Sequence, residues 1–155
     1  MNSAPRMPGR HLQDLLEREV PLARAMGVTI KHYGSKGLVL SAPLAQNRNY
    51  KGTAFAGSLA TAATLSGWAL TMLLVENMAM CPEVVVSRSV IEYLRPVRED
   101  IEVLCPMPDE ASIEKLQRVL THKRIGRWEL RARITAQHVL AVDYTGTYVV
   151  TVEHP

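Results

Sequence analysis

The sequence predicts an α+β fold in which an antiparallel sheet wraps around one long buried helix. Three observations carry that expectation. Residues 55–75 form a run of 21 positions without a charged side chain, and its helical pattern continues to Met78. β-Branched and alternating segments lie on both sides of it. The order is helix, two strands, long helix, then four strands interrupted by one short helix, with no repeat or linker.

Residues 1–9, with Pro5, Pro8 and Gly9, read as a loose terminus, and residues 10–155 as one domain. In "HLQDLLERE" Leu12, Leu15, Leu16 and Glu19 fall at helical spacing. Pro21 breaks or restarts this helix, and "PLARAMG" reads as a final turn stopped by Gly27. "VTIKHY" and "GLVLSAPL" are strands joined at "GSKG". A polar loop, Gln46 to Thr53, then leads into the helix Phe55–Met78. "EVVVSRSVIEYL" and "DIEVLCPM" follow as strands, and residues 109–122 as a short helix. In "RWELRARITA", Trp128, Leu130, Ala132, Ile134 and Ala136 alternate with polar residues, the mark of a sheet with one covered face. "VLAVDYTGTYVVTVE" closes the chain, with Gly146 as a bulge or a point of close approach.

Twelve of the 21 residues from Phe55 to Val75 are Ala, Gly, Ser or Thr. Transfer into lipid gains little from such residues, so a core helix is expected rather than a membrane span. Because the helix is apolar on nearly every side, one sheet leaves part of it for a second subunit to cover. Met1 to Arg10 has no apolar signal segment, so a cytoplasmic protein with Cys81 and Cys105 reduced is expected. A net charge of +3 is too weak to indicate nucleic acid. His11, His32, His122, His138 and His154 are scattered without metal-ligand spacing, so no metal or cofactor is expected.

The start of the long helix is where chemistry is expected. A helix N-terminus with free N–H groups stabilises developing negative charge. Gly57 and Ser58 occupy its first turn, and Gly57 permits close approach. Asn49 supplies an amide donor, and Thr64, seven residues after Gly57, returns to the same face two turns on. Each has a structural alternative. Thr53 suits an N-cap, and Thr64 and Ser66 suit bonds to the carbonyl four residues earlier. Gly57 and Gly67 suit close packing of strands. Tyr50, Phe55 and Trp68 suit a pocket lining or, for Trp68, the core.

The segment "NYKGTAFAGSLATAAT", residues 49–64, resembles the hot dog thioesterase signature. That pattern reads Asn, two variable residues, Gly, Thr, one variable residue, His, Gly, Gly, then a helix carrying a catalytic Asp or Glu. Asn49, Gly52, Thr53 and Gly57 match; Phe55 replaces the His, Ala56 the first Gly of the pair, and Thr64 the acid. "IEYLRPV", residues 91–97, resembles the strand and corner of the same fold. With "PLAQNRNYKGTAFAGSL" and "LSGWAL", the chain from about residue 20 to 152 is similar to a single-domain group related to the C-terminal domain of the YiiD proteins. Members of that group are implicated in malonyl-acyl carrier protein decarboxylation. The resemblance implies a homodimer or a dimer of dimers with a site shared between subunits. It also implies a substrate carried on acyl carrier protein or coenzyme A, with the Asn47–Thr53 loop beside it.

The departures from the signature matter chemically. Thioester hydrolysis needs a nucleophile or a base that activates water. From Tyr50 to Val75 there is no Asp, Glu or His. Glu76 lies twelve residues beyond Thr64, about 18 Å along a helix. Glu92, Asp143 and His32 fall on expected strands, where surface roles are the ordinary reading. Decarboxylation of a malonyl thioester instead needs its enolate oxygen stabilised and its carboxylate poorly solvated, without a base for the carbon–carbon cleavage. The leading expectation is therefore malonyl-acyl carrier protein decarboxylation to the acetyl thioester. A carboxylate-poor thioesterase is second, and a non-catalytic acyl-binding dimer third. Arg95 and Arg98, or the group Lys123, Arg124, Arg127, Arg131 and Arg133, suit an acidic carrier or phosphates.

Overall fold

The computed structural model describes residues 8–153. Six antiparallel strands form one sheet: β1 (Thr29–Gly34), β2 (Gly37–Ala42), β3 (Pro82–Tyr93), β4 (Ile101–Pro106), β5 (Ile125–Ala136) and β6 (Val139–Val152). Their order is β1-β2-β4-β5-β6-β3. The helices are α1 (Pro8–Glu19), α2 (Pro21–Met26), α3 (Leu44–Asn47), α4 (Ala56–Asn77) and α5 (Glu110–Lys123). Helix α1 begins within the expected loose terminus; the rest of that segment, residues 1–7, lies outside the described residues.

Helix α4 occupies the concave side of the sheet, in contact with β2, β3, β4, β5, β6 and α1. It is the one helix among the described residues long and apolar enough to cross a membrane, and most of it is enclosed by the sheet. Residues 69–75 are all buried within the single chain. Toward the N-terminal half, Gly57, Ser58, Ala60, Thr61, Thr64 and Trp68 remain partly exposed. The face left by one sheet is thus this narrow stripe.

Two glycines make room for aromatic rings, one on α4 and one on β6. A Cβ on Gly67 would overlap the Tyr148 ring and hydroxyl, and one on Gly146 would overlap the Tyr144 hydroxyl. Gly146 is therefore a close-approach point and not a bulge; the register shifts of β6's two pairings fall at Val86/Arg88 and Ile134/Thr135. The alternation in β5 holds, with Leu130, Ala132 and Ile134 buried and Arg127, Arg131 and Arg133 exposed. Helix α5 is capped by Asp109, whose carboxylate accepts the Ser112 N–H at 2.8 Å, and packs Leu116 and Leu120 beside Gly126.

Strand β3 pairs with β6 on one side and is the last strand of the sheet on the other. Val85, Val90 and Tyr93 on it, with Leu94 just beyond, are exposed. A free edge on a twelve-residue strand that exposes these apolar side chains is an invitation to further pairing.

Candidate active site

The loop before α4 is built by asparagines. Asn47 ends α3 and is 2% exposed. Its Nδ2 donates to the carbonyls of Met26 and Pro43, both at 2.8 Å, and its own carbonyl accepts the Phe55 N–H at 2.7 Å. Both amide hydrogens are spent on the scaffold, so Asn47 latches the loop to the end of α2. Its Oδ1 is buried without a partner among the described residues.

Asn49 organises the turn from Tyr50 to Gly52. Its Oδ1 accepts N–H bonds from Lys51 at 2.9 Å and Thr53 at 3.1 Å, and its Nδ2 donates to Thr53 Oγ1 at 2.8 Å. The main chain closes the same turn, with Asn49 N to Thr53 O at 2.7 Å and Gly52 N to Asn49 O at 3.1 Å. Gly52 takes φ 77°, the left-handed conformation that such a turn reserves for glycine. Asparagine fits because it carries donor and acceptor on one short side chain. At the tip Tyr50 is 92% exposed.

Thr53 is not the helix cap, because its hydroxyl is engaged by Asn49 and the cap position falls to Phe55. Phe55 has extended backbone geometry and offers no capping side chain. The first helical bond runs from Leu59 N–H to the Phe55 carbonyl at 3.1 Å, so the N–H groups of Ala56, Gly57 and Ser58 come before it and have no acceptor four residues earlier within the helix. The Phe55 ring lies across Gly57, where any Cβ would overlap it. A set of free donors bordered by an aromatic ring is the result.

Two contacts that the sequence did not suggest bring the chain's other expected segment here. Ala54 N–H donates to Val97 O at 2.8 Å, and the Tyr93 hydroxyl donates to Ala56 O at 3.3 Å. The Arg95–Arg98 corner is thus tied to the start of α4. Arg95 and Arg98 are exposed and line a shallow cavity of about 290 Å³ with Gln137 and Val139. A cleft of about 700 Å³ lies elsewhere, between α5 and β5. Arg127, Arg131 and Arg133 border it, so these three members of the second basic group face a separate cleft.

Thr64 is partly exposed on the open stripe, and its hydroxyl has no hydrogen-bond partner among the described residues. Bonds to the carbonyl four residues earlier are made instead by Thr61, to Gly57 O at 2.8 Å, and by Thr71, to Gly67 O at 2.7 Å. Ser66 bonds three residues back, to Ala63 O at 2.7 Å. The Thr64 carbonyl accepts the Tyr148 hydroxyl at 2.8 Å. Burial raises the Tyr148 pKa, as does the hydrogen bond with Tyr144, so this phenol stays protonated. Trp68 packs part of its ring on the core and continues the stripe.

The titratable groups named from sequence are not gathered at Thr64. Glu76 sits near the far end of α4, 4.0 Å from His11. Asp143 alternates with the buried Val142 and Tyr144, so it points away from α4, where its Oδ2 lies 3.7 Å from Arg131 Nη2. His32 is exposed on β1, at the opposite edge from β3, and Glu92 is exposed on β3.

An antiparallel sheet wrapped around one central helix, with the order found here, is the hot dog fold. The chain belongs to the family described as "Putative thioesterase (yiiD_Cterm)", whose model matches residues 9–152. A protein of unknown function from Chlorobaculum tepidum TLS is 27% identical, with 94% of each chain covered and a TM-score of 0.90. A Shewanella oneidensis protein described as a "putative thioesterase" is 26% identical, with 93% of this chain and 97% of that chain covered and a TM-score of 0.82. A mutant thioesterase from Pseudomonas aeruginosa, 12% identical over 94% of each chain with a TM-score of 0.72, shares the fold.

Proposed function

We propose that the chain is an enzyme acting on acyl thioesters of acyl carrier protein or coenzyme A, at the start of α4. The observation that carries this reading is the uncapped first turn, Ala56 to Ser58, followed on the same stripe by the uncommitted hydroxyl of Thr64. Free N–H groups suit a thioester oxygen that gains negative charge. One Nδ2 hydrogen of Asn49 is held by Thr53, so any donation by Asn49 uses the other. Phe55, Tyr50 and Trp68 supply apolar contact for the acyl or pantetheine portion.

Two reactions share this arrangement. Thioester hydrolysis is supported by the family description and the Shewanella relative. In that reaction water adds to the carbonyl carbon, the N–H groups hold the oxyanion, and the carrier thiol leaves with a proton. The Thr64 hydroxyl orients the water. Decarboxylation of a malonyl thioester is the second reading. It is favoured by one observation: Thr64 stands where the thioesterase signature has an acid, and Glu76, Asp143 and His32 lie elsewhere. There the electron pair of the breaking carbon–carbon bond moves to the thioester oxygen and carbon dioxide departs. Water then protonates carbon to give the acetyl thioester.

The reading includes a homodimer formed along the free edge of β3, where Val85, Val90 and Tyr93 are exposed. Such pairing brings Tyr93, already bonded to Ala56, to the interface, so each site borders both subunits. Incubation with malonyl and saturated acyl thioesters tests the reading, with mass detection of free thiol and acetyl thioester. Free thiol from saturated substrates identifies hydrolysis, and acetyl thioester from the malonyl substrate identifies decarboxylation. Neither product from any substrate refutes an enzyme of this class.

A further inference from the structure

We infer that Tyr148 and Trp128 are positioning residues that set the rotation of α4 about its axis and so aim Thr64 at the open stripe. The inference rests on the role proposed above for Thr64. Its starting point is a property of α4 itself. The helix is apolar all round from Leu65 to Val75, apart from Ser66 and Thr71. Burial of apolar surface is non-directional, so it distinguishes poorly between one rotation of such a helix and another. Something directional has to select the rotation.

Two hydrogen-bond chains supply it. Tyr148 donates to the Thr64 carbonyl at 2.8 Å. A carbonyl cannot donate in return, so the Tyr148 proton is spent there. The 3.1 Å contact between the two phenols must then run from Tyr144 to Tyr148. The second chain runs from Trp128 Nε1 to Thr71 Oγ1 at 3.1 Å, and from the Thr71 hydroxyl to the Gly67 carbonyl at 2.7 Å. Thr64, Gly67 and Thr71 are spaced three and four residues apart, which places them on one helical face. On the sheet, Trp128 and Tyr148 are direct cross-strand partners in the β5–β6 ladder. One cross-strand pair therefore grips one face of the helix.

The grip is specific to this rotation. Gly67 lies under the Tyr148 ring, where any side chain would overlap it. Turning α4 by one residue would put Ser66 or Trp68 there and leave a buried phenol and an indole N–H unpaired. Buried donors without acceptors are strongly disfavoured. With the Thr64 carbonyl held toward β6, its side chain lies at the border of the open stripe, where its hydroxyl is uncommitted.

The test uses Tyr148→Phe, which keeps the ring beside Gly67 and removes only the hydroxyl, with Thr64→Val and Tyr144→Phe alongside. Turnover in Tyr148→Phe is expected to fall roughly tenfold or more with KM nearly unchanged, as for a misaimed group, while Tyr144→Phe retains most of its turnover. A second readout needs no substrate. Trp128→Phe leaves Trp68 as the sole tryptophan. Adding Tyr148→Phe to it should shift the emission maximum and the acrylamide quenching of Trp68. Unchanged Trp68 fluorescence in the double variant overturns the inference. So does wild-type turnover in Tyr148→Phe when Thr64→Val is impaired, or an equal fall in both tyrosine variants. If Thr64→Val itself turns over normally, the proposed role of Thr64 fails, and the fluorescence comparison alone decides whether the grip exists.

Discussion

Phe55 lies across Gly57, and a Cβ on Gly57 would occupy the space of its ring. The ring is 55% exposed and free to swing aside. Gly67 makes a contact of the same kind with Tyr148, but that ring is fully buried. The two glycines should therefore respond oppositely to alanine. Gly57→Ala should change stability by less than about 1 kcal/mol while raising KM. Gly67→Ala overpacks the core and should cost about 1–3 kcal/mol or more. Thermal unfolding of the two variants, with KM for the first, makes the comparison.

Cys105 is buried, and that burial pushes its pKa up to about 12, against a smaller opposing effect of its hydrogen bond with Ser66. Burial disfavours the charged thiolate, so the nucleophilic form is scarce at pH 8. Cys81 is exposed, and both cysteines are free. Iodoacetamide at pH 8 should label the folded protein once, at Cys81, and twice only after denaturation. Rapid double labelling of native protein, read by mass, would contradict the packing around Cys105.

The free edge of β3 should pair with a second copy. Sedimentation at micromolar concentration is expected to show a dimer or larger assembly, and Val90→Lys should weaken it by placing like charges on the paired edge. A wild-type monomer under those conditions removes the shared site.

Arg95 and Arg98 flank Pro96 and Val97 in the corner whose Val97 carbonyl is bonded to Ala54, two residues before α4. Reversal of both to Glu should raise KM for a carrier or coenzyme A thioester several-fold, with kcat little changed, and should reduce the salt dependence of KM. The same substitutions at Arg131 and Arg133, which border the separate cleft, should leave KM near wild type.

Much of the fold was legible because its signals are local. The uncharged run located α4 to within one residue at each end, Ala56–Asn77 against an expected Phe55–Met78. Alternation in β5 and the glycine at residue 27 were equally direct, the latter ending α2 in the left-handed conformation at φ 69°. The site was less legible because its arrangement depends on partners remote in sequence. Asn49 reads as a free donor until its turn is seen to use its side chain three times. Thr53 reads as a cap because hydroxyls favour that position, but here the Asn49 bond takes it. The ties from Tyr93 to Ala56 and from Val97 to Ala54 depend on where β3 ends against α4. Tyr148 left only an indirect trace, the glycines at 67 and 146 that make room for rings.

Thr64→Val keeps the shape of the side chain and removes only the hydroxyl, so its turnover tests the placement of the site most directly. Product formation, followed by mass on whichever thioester the wild type consumes, should fall roughly tenfold or more while the variant stays folded. Thr64→Asp restores the acid of the thioesterase signature. It should abolish any acetyl product, because a second anion repels the malonyl carboxylate, while free thiol is retained or rises. Wild-type turnover in Thr64→Val, together with unchanged products from Thr64→Asp, would contradict a site on this face of α4.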